Sequence, residues 1–332
     1  MTAVIVLDSV AEADPGPRWA AVFDELWPGY RAWFNRPSGS GATDDRPSFL
    51  ESRRKLREYM PELVPTWNAL VDLAGGGDTE ARFLAMWRPP PYIAACSQVV
   101  WPSEPPVLAR NYDYAPRLWD AMLWRTQWAG TTVMAMTDSL WGVLDGVNAE
   151  GLAVSLAFGG RRIVGPGFGM PLILRYVLQT CATTEQACAA LARIPTHMAY
   201  NVTVLDANGQ WATVHTAPDR PAERTHARAC ANHQPVQDWP RYVAATQSHT
   251  RAGALADALA DADDDILTRL LRPPLYRDAF ARGMGTLYTA IWEPAARAVT
   301  LAWPTVRLQQ SLDAFVPGTL PLPIPGVEPE LQ

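Results

Sequence analysis

Residues 88–92, Arg-Pro-Pro-Pro-Tyr, divide the chain into two textures. Three consecutive prolines fix φ, remove three backbone donors and bar a helix, so no helix on their N-terminal side can continue past them. Before them, RWAAVFDELW, FLESRRKLREYM and ARFLAMW carry apolar residues at helical spacing. Pro28, Pro61 and the Gly/Ser/Asp/Pro-rich stretch 35–48, which reads as an exposed loop, interrupt them. After the prolines the texture is β, with strands expected at about 93–101, 107–112, 130–137, 140–147 and 151–158. Two helices come next, at 170–181 and 184–193, and Thr183-Thr184-Glu185-Gln186 fits a capping box opening the second. Strands return at 199–206 and 210–216, with the hairpin signal Asn208-Gly209 between them, and again at 224–231. A helical stretch is expected over 238–271 and a closing hairpin over 286–304. Segregated runs of strands and helices predict an α+β layered domain over 93–305. Residues 1–92 read as a helical extension in front of it, and residues 306–332 as a proline-rich tail wrapping the surface.

Of the 332 residues, 48% are apolar and 19% charged, enough to bury a core and too ordered a composition for a disordered chain. The net charge of −6 excludes a global basic field, so no nucleic-acid partner is expected. No apolar run approaches a membrane span, and the N-terminus lacks the basic start and apolar core of a signal peptide, so the expected location is cytoplasmic. Four cysteines, Cys96, Cys181, Cys188 and Cys230, are too few for a disulfide scaffold and read as free thiols. Cys230 and His233 make half a zinc site with no second pair to complete it. Asp261, Asp263, Asp264 and Asp265 lack calcium-loop spacing and suit a helix N-terminus better. Neither a metal nor a cofactor is expected.

Three segments could carry chemistry. Cys96 begins the β region in YIAACSQVVW. Taken alone, a buried thiol is more often core packing than a nucleophile. If the bond before it were cut, its own α-amine, with a pKa near ~8, could take the thiol proton. Arg110 and Asp113 lie three apart in LARNYDY, either as an ion pair at a strand end or as the groups that stabilise a thiolate and orient that amine. Asn232 and His233 close a strand in RACANHQPV. A side-chain amide there either forms a turn or donates to a developing oxyanion. Trp119, Trp124, Trp128 and Trp141 either pack a core or line an apolar acyl pocket.

In this order the segments resemble the isopenicillin-N acyltransferase family of N-terminal-nucleophile (Ntn) cysteine hydrolases, with choloylglycine hydrolases as more distant relatives. The resemblance rests on Cys96, on Ala109-Arg110-Asn111-Tyr112-Asp113 and on the turn Gly146-Val147-Asn148-Ala149-Glu150-Gly151-Leu152. It continues through Ala231-Asn232-His233, Ser248-His249-Thr250-Arg251 and the hairpin from Gly285-Thr286-Leu287-Tyr288 into Trp292-Glu293-Pro294. It implies a four-layer αββα sandwich with Cys96 as nucleophile and its freed α-amine as base. Asp113 and Arg110 would position that pair, and Asn232 would complete an oxyanion hole. Gln98, Asn148, His233 and Arg277 would lie at the substrate. Two positions depart from the family pattern. Ala95 stands where acyltransferase precursors often carry Gly, and the strand 151–158 has no Asn, so the second oxyanion donor has to be a backbone N–H.

The function implied is a hydrolase or acyltransferase acting on linear amides or acyl thioesters through an acyl-Cys96 intermediate, after self-processing at Ala95/Cys96. The first 95 residues would be a removable pro-segment or a retained cap. The substrate is a small molecule, and a homodimer is compatible with such a sandwich. Two alternatives stay open: an uncleaved, non-catalytic ligand-binding member of the same fold, and a thiol hydrolase using His233 as base.

Overall fold

The computed structural model describes residues 2–36, 46–236, 238–261, 265–282 and 284–325. Most of the loop expected at 35–48, and Asp263 and Asp264, lie outside these residues.

The chain opens with strand β1 (Thr2–Glu12) and helices α1 (Pro17–Phe34), α2 (Phe49–Tyr59), α3 (Val64–Leu73) and α4 (Asp78–Leu84). Six strands come after them: β2 (Ala95–Trp101), β3 (Val107–Tyr114), β4 (Met122–Ala129), β5 (Thr131–Asp138), β6 (Gly142–Asn148) and β7 (Leu152–Phe158). Next are α5 (Met170–Thr180), α6 (Thr184–Arg193), β8 (Tyr200–Asp206), β9 (Trp211–Ala217), β10 (Arg220–Thr225) and β11 (Ala229–Cys230). Helices α7 (Pro240–Ala245), α8 (Ser248–Ala260) and α9 (Ile266–Leu270) precede β12 (Gly285–Glu293), β13 (Ala298–Ala302), β14 (Arg307–Ser311) and β15 (Gly318–Pro325).

Local chemistry sets several of these ends. Ser48 Oγ accepts from Glu51 N and starts α2. Thr183 Oγ1 accepts from Gln186 N at the head of α6, and Gln186 Oε1 reaches back to Ala182 N. Asp265 caps α9 through Leu267 N and Thr268 N, the helix-start role expected of that acidic run. Gly151, at φ +75, closes the β6–β7 turn in a conformation that L side chains rarely adopt.

The strands form two sheets. The nine-stranded sheet runs β10-β9-β8-β7-β6-β5-β4-β1-β15, and the six-stranded sheet runs β11-β2-β3-β12-β13-β14. They face one another through β2 and β3 against β7 and β8. Helices α5 and α6 cover the outer face of the larger sheet, and α8 and α9 that of the smaller. The layer order is therefore αββα, the expected α+β sandwich. Strand β7 is buried along its whole length, as its unbroken run LAVSLAF requires between two layers.

Both chain ends depart from expectation. Residues 1–92 are not wholly a helical extension, because β1 lies inside the larger sheet, parallel to β4 and antiparallel to β15. The proline-rich tail does not wrap the surface: β14 pairs with β13 and β15 with β1. Pro321 and Pro323 alternate along β15, so their missing N–H groups fall on one side, which an edge strand leaves unpaired. Among the described residues no helix is long and apolar enough to cross a membrane.

Candidate active site

Strand register decides which side chains meet. Cys96 lies opposite Tyr112 and Gln98 opposite Arg110. With side chains alternating, these four share the face of β2 and β3 turned toward the larger sheet. Asp113, opposite Ala95, and Asn111, opposite Ser97, point the other way, toward α8 and α9.

On the inner face, Arg110 Nη2 donates to Cys96 Sγ at 3.0 Å. Its Nη1 donates to Asp145 Oδ2 at 2.6 Å and to Leu144 O at 2.9 Å. Asp145 also accepts from Tyr288 Oη at 2.5 Å and Trp292 Nε1 at 2.7 Å. A fully hydrogen-bonded buried carboxylate thus fixes the guanidinium that touches the thiol. Burial opposes the charge on Arg110, but Tyr288 and Asp145 outweigh it and hold its pKa above the usual value.

At the β11 edge of β2, Asn232 Oδ1 accepts from Cys96 N at 2.7 Å and from Arg251 Nη2 at 2.7 Å, and its Nδ2 donates to Phe158 O at 3.0 Å. Two donors on the oxygen and a carbonyl at the nitrogen fix the orientation of the amide. Arg251 Nη1 donates to Cys96 O at 2.5 Å and lies 3.5 Å from Asp113 Oδ2. Asp113 Oδ1 accepts from Thr286 Oγ1 at 2.7 Å, and that hydroxyl accepts from Arg277 N at 2.8 Å. Tyr242 Oη donates to Ala94 O at 2.7 Å, two residues before the thiol.

Burial pushes the Cys96 thiol up; Arg110 pulls it down and Asp113 adds to the rise. Burial also raises Asp113, against the pull of Arg251 and Thr286. In the intact chain the thiol is therefore protonated at neutral pH.

The structure brings Cys96, Arg110, Asp113 and Asn232 into one buried cluster. The group holding the Cys96 nitrogen is Asn232 rather than Asp113. Arg251 joins them, although its Ser248-x-x-Arg251 segment suggested no role for it. Asp145 is a second missed residue; its signal was a lone carboxylate in the apolar run 142–147, since a buried charge there needs a partner.

The remaining candidates sit elsewhere. Gln98 bridges the sheets through Thr203, Asn201 O and Ser155 and does not face an open site. Asn148 is not at a substrate pocket: its Oδ1 accepts from Glu150 N and Leu152 N, and its Nδ2 donates to Leu178 O and Cys181 O. His233 Nδ1 meets Ser248 Oγ at 2.8 Å. Burial, followed by the neighbouring His249 and Arg251, brings His233 down to about 4. Arg277 lines a cavity of about 570 Å³ with Tyr242, Thr246, Pro274, Tyr276 and Met284. The tryptophans pack the core: Trp119 stacks on Tyr288 and Trp141 Nε1 donates to Leu84 O, while Trp124 and Trp128 lie against each other.

A profile of the acyl-coenzyme A:6-aminopenicillanic acid acyl-transferase family matches residues 101–307, from just beyond Cys96 through Arg110, Asp113, Asn232, Arg251 and Arg277. The chain belongs to that family. It is accordingly an enzyme of the N-terminal-nucleophile class, whose members hydrolyse amides or transfer acyl groups. Among solved structures it is similar to a conjugated bile acid hydrolase of Clostridium perfringens (14% identity, 68% of this chain and 96% of that chain, TM-score 0.45). It is also similar to a penicillin V acylase of Agrobacterium tumefaciens (11% identity, 66% and 86%, TM-score 0.45). A third similar structure is a Caenorhabditis elegans ortholog of N-acylethanolamine-hydrolyzing acid amidase (16% identity, 69% and 100%, TM-score 0.43). No curated protein sequence matches the chain.

Proposed function

We propose that the protein cleaves or forms a carbon–nitrogen amide through an acyl thioester on Cys96, after the Ala95–Cys96 bond is cut. The observation that carries this reading is one residue gripped at both ends: Cys96 Sγ lies 3.0 Å from Arg110 Nη2, and its backbone nitrogen lies 2.7 Å from Asn232 Oδ1. Cutting the bond turns that nitrogen into an α-amine with a pKa near ~8, matched to neutral pH. The amine takes the thiol proton, and the thiolate forms beside a permanently charged guanidinium. Attack on the substrate carbonyl gives a tetrahedral oxyanion, to which Asn232 Nδ2 offers its second hydrogen and a backbone N–H adds another. Collapse breaks the C–N bond; the leaving amine takes its proton from the α-ammonium, and acyl-Cys96 remains. Water or an acceptor amine then attacks the thioester and restores the thiol. Asp113 and Arg251 keep the Cys96 backbone in place, and the substrate is a small-molecule amide or acyl thioester.

His233 is poorly suited to be the base: Ser248 engages its Nδ1, the ring is held neutral far below pH 7, and the thiol's partner is Arg110. Incubation with an activated acyl ester, then quenching in acid and peptide mass mapping, tests the reading. The acyl group is expected on the peptide carrying Cys96 and absent from Cys96→Ala. Acylation of another residue, or turnover by the variant, would overturn it.

A further inference from the structure

Among the described residues four arginines are buried, and three of them have a carboxylate: Arg110 has Asp145 at 2.6 Å, Arg161 has Asp219 at 2.8 Å and Arg251 has Asp113 at 3.5 Å. The fourth is Arg175, on α5, with no exposed surface. Its Nε donates to Trp141 O at 2.8 Å and its Nη1 to Thr126 Oγ1 at 3.0 Å. Among the described residues its Nη2 has no hydrogen-bond partner, and no acidic group acts on it. Burial alone lowers its pKa, to about 9, which still leaves the guanidinium charged at neutral pH.

The surroundings are rich in donors. Gln179 lies one helical turn beyond Arg175, on the same face of α5, is buried, and has neither amide atom hydrogen-bonded among the described residues. Trp124, Thr126 and Trp128 alternate on β4, so their side chains share the face that Thr126 turns to Arg175. The Trp128 ring centroid lies 5.3 Å from Arg175 Cζ and 5.8 Å from the Trp124 ring. Both indole N–H groups are buried without a partner among the described residues. A buried cation unmatched by an acid, with three orphaned polar side chains beside it, is the electrostatic complement of an anion.

We propose that Arg175, Gln179, Trp124 and Trp128 form a buried binding site for a small monovalent inorganic anion of halide size, between α5 and β4. Arg175 Nη2, Gln179 Nε2 and the indole N–H groups are its donors, and the aromatic walls exclude water and larger oxyanions. The site is separate from Cys96. It is joined to the catalytic side of the molecule through α5, which packs on β6, the strand carrying Asp145, and through β5, which pairs with both β4 and β6.

Crystals of the full chain grown or soaked in bromide, and measured at the bromine absorption edge, test this. An anomalous peak within hydrogen-bond distance of Arg175 Nη2 is expected; ordered waters alone at that place would overturn the proposal. In solution, the thermal midpoint should rise about 2 °C for each tenfold increase in halide above the dissociation constant, relative to gluconate at equal ionic strength. Gln179→Leu should shift that dependence to higher halide, and Arg175→Met should remove it. An unchanged halide dependence in Arg175→Met would overturn the proposal. Should Arg175→Met fail to fold, the bromide peak in the natural chain and the Gln179→Leu titration decide.

Discussion

Arg110 serves two partners at once, Cys96 Sγ through Nη2 and Asp145 through Nη1, and only a planar, forked cation can do so without moving. Lysine is a point charge on a flexible stem and cannot span both. Arg110→Lys should lower kcat/KM by about 10²–10³-fold, with the loss in kcat, because the missing contact is made to the reacting sulfur. Arg110→Met should also destabilise the protein by about 3–5 kcal/mol, since it leaves Asp145 as a buried carboxylate without a counter-charge. Chemical denaturation beside steady-state kinetics separates the two. An Arg110→Lys enzyme with unchanged kcat would show that the guanidinium is structural only. Thr286 illustrates another relation between neighbours: its hydroxyl accepts a hydrogen bond from the Arg277 backbone N–H and donates one to Asp113, while the Arg277 charge also acts on Asp113.

At the scale of elements, the β6–β7 turn and the α5–α6 junction are joined by Asn148, whose amide meets two backbone N–H groups and two carbonyls. Asn148→Ala should destabilise the protein by about 1–3 kcal/mol, through buried backbone groups left unpaired, and leave KM unchanged. A rise in KM with normal stability would return Asn148 to the substrate pocket. That residue also marks where sequence reading stops. Its motif placed the turn correctly, but a polar side chain in a turn looks the same whether it faces a ligand or the carbonyls of a distant helix. Periodicity and turn residues revealed β2, β3, β5 to β9, α5, α6 and the β12–β13 hairpin, and the pattern around Cys96, Arg110, Asp113 and Asn232 pointed to one site. Strands β1 and β15 were not legible, because β1 leaves Val4 and Val6 exposed and β15 carries alternating prolines that only an edge position tolerates. Arg251 was hidden for a similar reason: an arginine on a helix is ordinarily a surface charge, and only packing of α8 against β2 and β11 buries it at Cys96.

Across the whole molecule, the first 95 residues are fastened to the rest independently of the Ala95–Cys96 bond. β1 lies between β4 and β15, Trp19 Nε1 donates to Leu140 O, and Thr66 Oγ1 donates to Trp128 O. A cut chain should therefore stay together under native conditions. The same contact surface holds a pH-sensitive join, where Tyr30 Oη on α1 sits 2.5 Å from Asp120 Oδ1 and 3.0 Å from Asp138 Oδ1. Burial, and for Asp120 the neighbouring Asp138 charge, raise the two carboxyls to about 8 and about 6. Unfolded carboxyls ionise near ~4, so over the interval from about pH 4 to about pH 8 the unfolded chain releases protons that the folded chain keeps. Stability should fall across that interval as pH rises, and Asp138→Asn should flatten the fall; thermal midpoints across the range check it, and an equally steep fall in the variant would contradict it. The most direct test of Cys96 as an N-terminal nucleophile is intact mass under denaturing conditions, for the natural chain and for Cys96→Ala. Two fragments meeting at Ala95/Cys96 in the natural chain, and one full-length mass in the variant, are the predicted result. A single full-length mass for a natural chain that turns over amide substrate would contradict it.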